Sequence, residues 1–135
     1  MQSHCIILHA FILNLLATVT IFLFSMLLNN SSLYDPYWSV APPAILLYWI
    51  FASGPEEVNI YRQVLIICLV LFWSVRLTLN WARRWQGLID EDWRYRNFRR
   101  KFPTAYWAVS FFGIHLFPTF IIFLGSLSVF PALVI

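Results

Sequence analysis

Asp35 is the only formally charged side chain in the first 55 residues. It sits inside NNSSLYDPYWSVAPP, residues 29–43, beside Tyr37 and Trp38. A lone carboxylate in so apolar a setting has two uses. Before Pro36 it can cap a helix, accepting backbone N–H bonds while the proline takes the first turn, where a missing N–H costs nothing. At the mouth of a cavity it can instead hold a proton beside a bound molecule, with Tyr37 and Trp38 as substrate contacts. Both readings are open on the residues alone. Two other polar residues interrupt apolar runs. Arg76 is either a functional intramembrane cation or an arginine that snorkels to a nearby interface. His115, alone on an apolar face, reads as a packed, hydrogen-bonded histidine.

The elements that must position these residues are membrane helices. The chain is 61% hydrophobic, 19% aromatic and only 11% charged over 135 residues, whereas soluble domains carry roughly 25% charged residues. Residues 1–34, 36–55, 63–75 and 102–135 contain no Asp, Glu, Lys or Arg, and a span needs about 20 apolar residues. At least four crossings are expected, with helices near 5–28, 37–53, 59–81 and 104–125 and an apolar segment beyond. The first run is too long for a signal-peptide core of about 7–15 residues and lacks its basic flank and small-residue cleavage site. Cys5 and Cys68 show no ligand or disulfide spacing, so two packed thiols and no metal site are expected.

Helix two carries the difficulty. Pro42 and Pro43 fall one to two turns inside it, where each removes a backbone bond and crowds the carbonyl four residues back. The helix is expected to kink there or to begin only at Pro43. Backbone freed at membrane depth survives only inside protein or beside a water-filled cavity, and a cavity mouth near residues 38–43 is the preferred explanation.

Arg83, Arg84, Arg94, Arg96, Arg99, Arg100 and Lys101 are seven of the nine basic residues; with Asp90, Glu91 and Asp92 they leave the hydrophilic segment 83–103 at +4. The positive-inside rule places residues 83–101 in the cytoplasm, so three earlier crossings put residues 29–36 inside too. The sequons at Asn29 and Asn30 are then expected to carry no glycan. Flanking spans make nucleic acid a poor partner. Within the segment Asp90 is expected to cap a short helix, with Asp90–Arg94 and Asp92–Arg96 as i,i+4 pairs and Pro103 as its stop. The aromatic surface added by Trp93, Tyr95, Phe98 and Phe102 also fits a helix lying on anionic lipid. The chain closes on FPALVI in mid-apolar segment, as expected of an incomplete larger bundle.

Four pieces in order, NNSSLYDPYW, RLTLNWARRWQGL, EDWRY and FLGSLSVFPAL, resemble the steroid 5α-reductase-like membrane family, in particular its branch of unknown function. The resemblance implies an all-helical membrane bundle, of which this chain is the amino-terminal half. It also implies an NADPH-dependent reductase acting on a C=C bond of a steroid- or lipid-like substrate. By that resemblance Asp35 and Tyr95 are the candidate catalytic residues. Arg83, Arg94 and Arg96 are candidates to offset cofactor phosphate charge, since guanidinium forks match phosphate oxygens. No G-x-G-x-x-G or P-loop is present, so most cofactor contacts are expected from a carboxyl-terminal half, and this chain alone is expected to be inactive. Steroid-reducing members pair a tyrosine with a glutamate in an early helix; helix two has no glutamate in its apolar part, and Asp35 is the acid left for a related role. A non-catalytic scaffold or partner subunit, or a truncated inactive paralogue, is the alternative.

Overall fold

The computed structural model describes residues 2–54, 57–85, 87 and 91–135. The elements are α1 (Gln2–Leu27), a 3₁₀ turn (Ser31–Leu33), α2 (Tyr34–Ser53), α3 (Ile60–Arg84) and α4 (Trp93–Lys101). A continuous helical run follows, made of α5 (Tyr106–Val109), a π-helical stretch (Ser110–Leu116) and α6 (Phe117–Val134). No strand occurs among the described residues. Helix persists through Gly125 to Val134, so the apolar stretch after residue 125 continues the same helix.

Among the described residues, three helices are long and apolar enough to cross a membrane: His4–Leu27, Ile60–Arg84 and Tyr106–Val134. That is one fewer than the four expected. The missing one is α2, whose 20 residues include Asp35, Ser39 and three prolines that dilute its hydropathy. It nevertheless packs between the others. Ile45 and Trp49 meet Ile6 and Ala10 in one core cluster, while Tyr37 reaches Asn14, so α1 and α2 run antiparallel. Ring pairs Phe11–Phe123 and Phe22–Phe111 set the Tyr106–Val134 run antiparallel to α1.

The bundle hides polar side chains and shows apolar ones. Asn14, Thr18, Ser25, Ser39, Ser74, Ser110, His115 and Thr119 are buried, whereas Leu16, Leu23, Leu65, Phe72 and Leu124 are exposed. Lipid is as apolar as leucine, so burying leucine gains little, while buried hydroxyls such as Thr18, Ser39, Ser74 and Thr119 meet polar partners across helix interfaces. Thr119 donates to the His115 carbonyl at 2.7 Å. Its oxygen is left to accept from Tyr34 at 2.7 Å, and Thr18 Oγ1 lies 2.7 Å from it. Of the other polar residues in α1, His9 is exposed and Thr20 bonds only the Leu16 carbonyl of its own helix. Cys5 and Cys68 are free and exposed, not packed; they lie on outward faces of α1 and α3. Arg76 is also exposed, about two turns before the end of α3.

α2 does not start late, as its prolines suggested; it is helical from Tyr34 through Pro42 and Pro43. Pro43 has no N–H to give the Ser39 carbonyl. Ser74 of α3 supplies the missing donor, its hydroxyl reaching Ser39 O at 2.6 Å. The Ser39 hydroxyl in turn bonds Pro36 O at 2.9 Å and Thr78 Oγ1 at 2.8 Å. Pro118 has a parallel effect. It withholds an N–H from Ile114, and just upstream the ladder widens to π spacing, with Phe117 N–H bonding Phe112 O.

Ser74→Ala is expected to leave the Ser39 carbonyl buried and unmatched, costing about 1–3 kcal/mol. Adding Pro43→Ala restores a backbone donor at that carbonyl and should recover most of the loss. Thermal unfolding of the four proteins of this cycle in detergent measures the coupling, and equal losses in both backgrounds would show that the hydroxyl does not serve the proline.

Candidate functional site

The site is assembled at the end of the bundle where α1 stops. Asn29 takes a left-handed conformation, φ 52°. Asn29 N–H returns to Met26 O at 3.2 Å and Asn30 N–H to Ser25 O at 2.9 Å, a Schellman closure of the helix. The chain then turns inward, and Asn30, Ser31 and Ser32 are buried. Asn30 Oδ1 accepts from Ser32 N–H at 2.8 Å and caps the 3₁₀ turn. Because that turn leads directly into α2, Asp35 lies in the first helical turn and is not the N-cap. Its side chain is free for another partner. Burial of Asn30 also withdraws that sequon from any glycosylating enzyme in the folded protein, on whichever side it lies.

Glu91 holds this turn. The carboxylate is 8% exposed and accepts Ser31 N–H at 2.9 Å. Arg99 grips the same carboxylate from α4, with contacts at 2.7 and 3.1 Å, and stacks its guanidinium 4.1 Å from the Tyr106 ring centroid. Asp92 N–H adds a bond to Ser32 Oγ at 2.8 Å. Asp92, not Asp90, caps α4, accepting from Arg94 N–H at 2.9 Å. The expected Asp92–Arg96 pair is replaced by a fork between Asp92 and the Arg94 side chain, both contacts at 2.9 Å. Asp90 lies outside the described residues.

Docked this way, α4 delivers Tyr95 to Asp35. The phenol donates to Asp35 Oδ1 at 2.6 Å. Asp35 lines an open cavity of about 210 Å³ with Trp38, Asn80, Trp81, Arg84 and Arg94. Asp35 thus faces the cavity, while Tyr95, 8% exposed, stands behind it and fixes its orientation. Both lie outside the three apolar spans. Burial raises the Asp35 carboxyl from 3.8 to about 6, against the opposing hydrogen bond from Tyr95. Burial and the neighbouring carboxyl drive the Tyr95 phenol far upward, so it remains a donor at any ordinary pH. The hydrogen bonds from Arg94 hold Asp92 below the usual carboxylate range. The pair is therefore an acid that carries its proton up to about pH 6 beside a fixed, neutral phenol.

The other sequence-derived candidates fall in different places. Trp38 is in the cavity wall. Tyr37 turns away, donating to Asn14 Oδ1 and to Asn14 O at 3.1 Å. Arg94 reaches the cavity but is forked onto Asp92. Arg96 donates to Glu91 O at 2.8 Å, and Arg83 is exposed while its neighbour Arg84 lines the cavity. Arg84, Glu91 and Arg99 were not singled out from the sequence. Arg84 differed from Arg83 only by helical phase, and the Glu91–Arg99 pairing spans a helix whose start was misplaced by two residues.

Two of the three arginines expected to offset NADPH phosphate charge are turned instead to the Asp92 carboxylate and the Glu91 carbonyl. No group of three or more His, Cys, Asp or Glu able to hold a metal occurs among the described residues. Behind the site, His115 is fully buried. Its Nδ1 lies 3.0 Å from Ser110 O and its Nε2 3.2 Å from Ser25 Oγ.

Comparison with known proteins gives a family model described as a protein of unknown function, DUF1295, matching residues 21–134. An uncharacterized protein of Schizosaccharomyces pombe is 30% identical over 91 residues, 66% of this chain and 26% of that protein. The chain thus spans about a quarter of the curated relative it matches. No solved structure matches.

Asp35→Asn tests the electrostatics. A folded-state value of about 6 against an ordinary 3.8 means that protonation favours the fold: the contribution is complete below 3.8 and is lost as pH rises through 6. Asn keeps the acceptor for Tyr95 and carries no charge. The variant should therefore unfold a few degrees above the parent at pH 8, with the gap closing below pH 4. A gap independent of pH would mean that Asp35 is not held in this raised state.

Proposed function

The chain belongs to the DUF1295 family of proteins of unknown function, and from that premise we propose that it is an integral membrane protein presenting Asp35 as the substrate-polarising acid of a reductase. The substrate is lipophilic, and the bond reduced is a C=C bond conjugated to a carbonyl. The observation that carries this reading is the 2.6 Å bond from Tyr95 to Asp35 at the edge of a tryptophan-walled cavity. As such a double bond is reduced, its carbonyl oxygen gains negative charge. A preorganised acid offsets that charge where water is scarce. Asp35, carrying its proton up to about pH 6, donates to the oxygen, and Tyr95 is a positioning residue that holds the carboxyl in place.

The membrane arrangement in this reading has four crossings. α2 packs antiparallel to α1, and its residues 37–53, about 26 Å at 1.5 Å per residue, form the second crossing, with Asp35 at its edge, outside the span. The turn at residues 29–32 and the basic α4 lie together at one end, and lysine and arginine enrichment assigns that end to the cytoplasm. The reducing cofactor, NADPH by family resemblance, would draw most of its contacts from outside these residues and would present its hydride at this cavity. The internal pairing of Arg94 and Arg96 favours one other reading, a non-catalytic membrane scaffold or partner subunit.

Two measurements test the proposal. The carbonyl stretch of 3-nonen-2-one bound to the purified protein should move to lower frequency as pH falls through 6, and Asp35→Asn should abolish that pH dependence. A bound enone whose carbonyl ignores both changes removes the acid role and leaves the scaffold. Titration of NADPH against the same chain should show no saturable binding; micromolar binding that discriminates NADPH from NADH would place the cofactor site within these residues.

A further inference from the structure

A second cavity, separate from that of Asp35, lies in the groove between α1 and α2. Its volume is about 210 Å³. Ala10, Ala41 and Ile45 are buried in it, while Leu13 and Ala44 are exposed at its rim. Alanines on both facing helices keep the groove from being filled by its own walls. α1 is a candidate membrane span, so the exposed rim opens toward lipid.

One polar residue lines this groove without being satisfied. Asn14 is 5% exposed. Its backbone carbonyl accepts from Thr18 Oγ1 at 2.9 Å, and its side-chain oxygen accepts from the Tyr37 phenol. That phenol fixes which way the amide faces. Its Nδ2 has no hydrogen-bond partner among the described residues. An unmatched buried N–H is unfavourable, and more so in hydrocarbon, where water does not relieve it. The other buried polar side chains of α1, Thr18 and Ser25, are matched by groups on the facing helix.

We infer that the α1–α2 groove is a binding site for a small lipophilic carbonyl compound, which enters from the bilayer and accepts a hydrogen bond from the Asn14 amide. Apolar walls take the chain of the ligand, and the single donor selects for an oxygen acceptor over plain hydrocarbon. A polar group positioned in an otherwise apolar pocket supplies specificity of this kind. Tyr37 acts through Asn14 as a positioning residue. The inference does not rest on the reductase reading, because neither Asp35 nor Tyr95 lines this groove.

The test uses the purified chain in nanodiscs with 2-nonanone and nonane as probes, read by thermal unfolding. The ketone should raise the unfolding temperature by several degrees and the hydrocarbon should not. Asn14→Leu removes the donor, and Ala44→Leu fills the rim without touching it; each should abolish the ketone shift. Ala44 is exposed, so that variant keeps the test decisive should Asn14→Leu fail to fold. Asp35→Asn should leave the shift intact, which separates this site from the proposed catalytic one. Equal shifts from both probes, no shift from either because phospholipid chains fill the groove, or a ketone shift that survives Asn14→Leu would each overturn the inference.

Discussion

Glu91 is the residue on which the site depends. One buried carboxylate receives the Ser31 N–H from the turn after α1 and the Arg99 guanidinium from α4. Neither partner is adjacent in sequence. Without it the turn would bury an unmatched N–H, and α4 would lose its main polar tie to the bundle. Ionised carboxylates tolerate burial only when paired and fully hydrogen-bonded, and this one is met by a fork and a backbone donor. Its position fixes the register of the 3₁₀ turn, hence the phase at which α2 begins. It also fixes the depth of α4, hence where Tyr95 arrives. The Asp35–Tyr95 contact is the consequence of that clamp.

The rest of the bundle follows from lipid as solvent. Where water would reward buried leucine, lipid rewards matched polar groups, so the interior holds hydroxyls, an amide and an imidazole while the outward faces are aliphatic. The prolines fit the same logic. Pro43 opens a backbone acceptor that Ser74 closes, and Pro118 is accompanied by a π-helical stretch that turns His115 toward Ser25. The defect at Pro43 is compensated across a helix contact, which is the condition for irregular backbone at membrane depth.

Much of this was legible in the residues. Apolar length gave the helices, and the isolation of Asp35 marked it as unusual before any contact was known. What escaped was long-range. Pairing of Asp35 with Tyr95 and of Ser25 with His115 crosses 60 and 90 positions, and no periodicity encodes it. The prolines in α2 predicted a defect correctly but not its cure, because the compensating hydroxyl stands on another helix. Asp92 caps α4 in place of Asp90 since both aspartates satisfy the local preference and tertiary contact of Asp92 with Ser32 selects between them. The cysteines were expected inside on their usual behaviour in water, which does not hold for a face turned to lipid.

The competition around Asp35 explains why an acid beside two arginines is not simply ionised. Arg84 and Arg94 line the same cavity, and a free guanidinium at close range commonly lowers a carboxyl by about 1–3 units. Arg94, however, is forked onto Asp92 at 2.9 Å, so most of its field at Asp35 is cancelled by the negative charge it holds. Asp92 itself adds a small upward push on Asp35. Burial then dominates, and the carboxyl rises to about 6 in spite of the Tyr95 donor. The Asp92–Arg94 fork thereby does two things at once: it caps and closes the start of α4, and it keeps the cation that reaches the cavity from ionising the acid. The availability of the Asp35 proton is thus set first by burial, opposed by the Tyr95 donor, while the opposing charges of Asp92 and Arg94 contribute least.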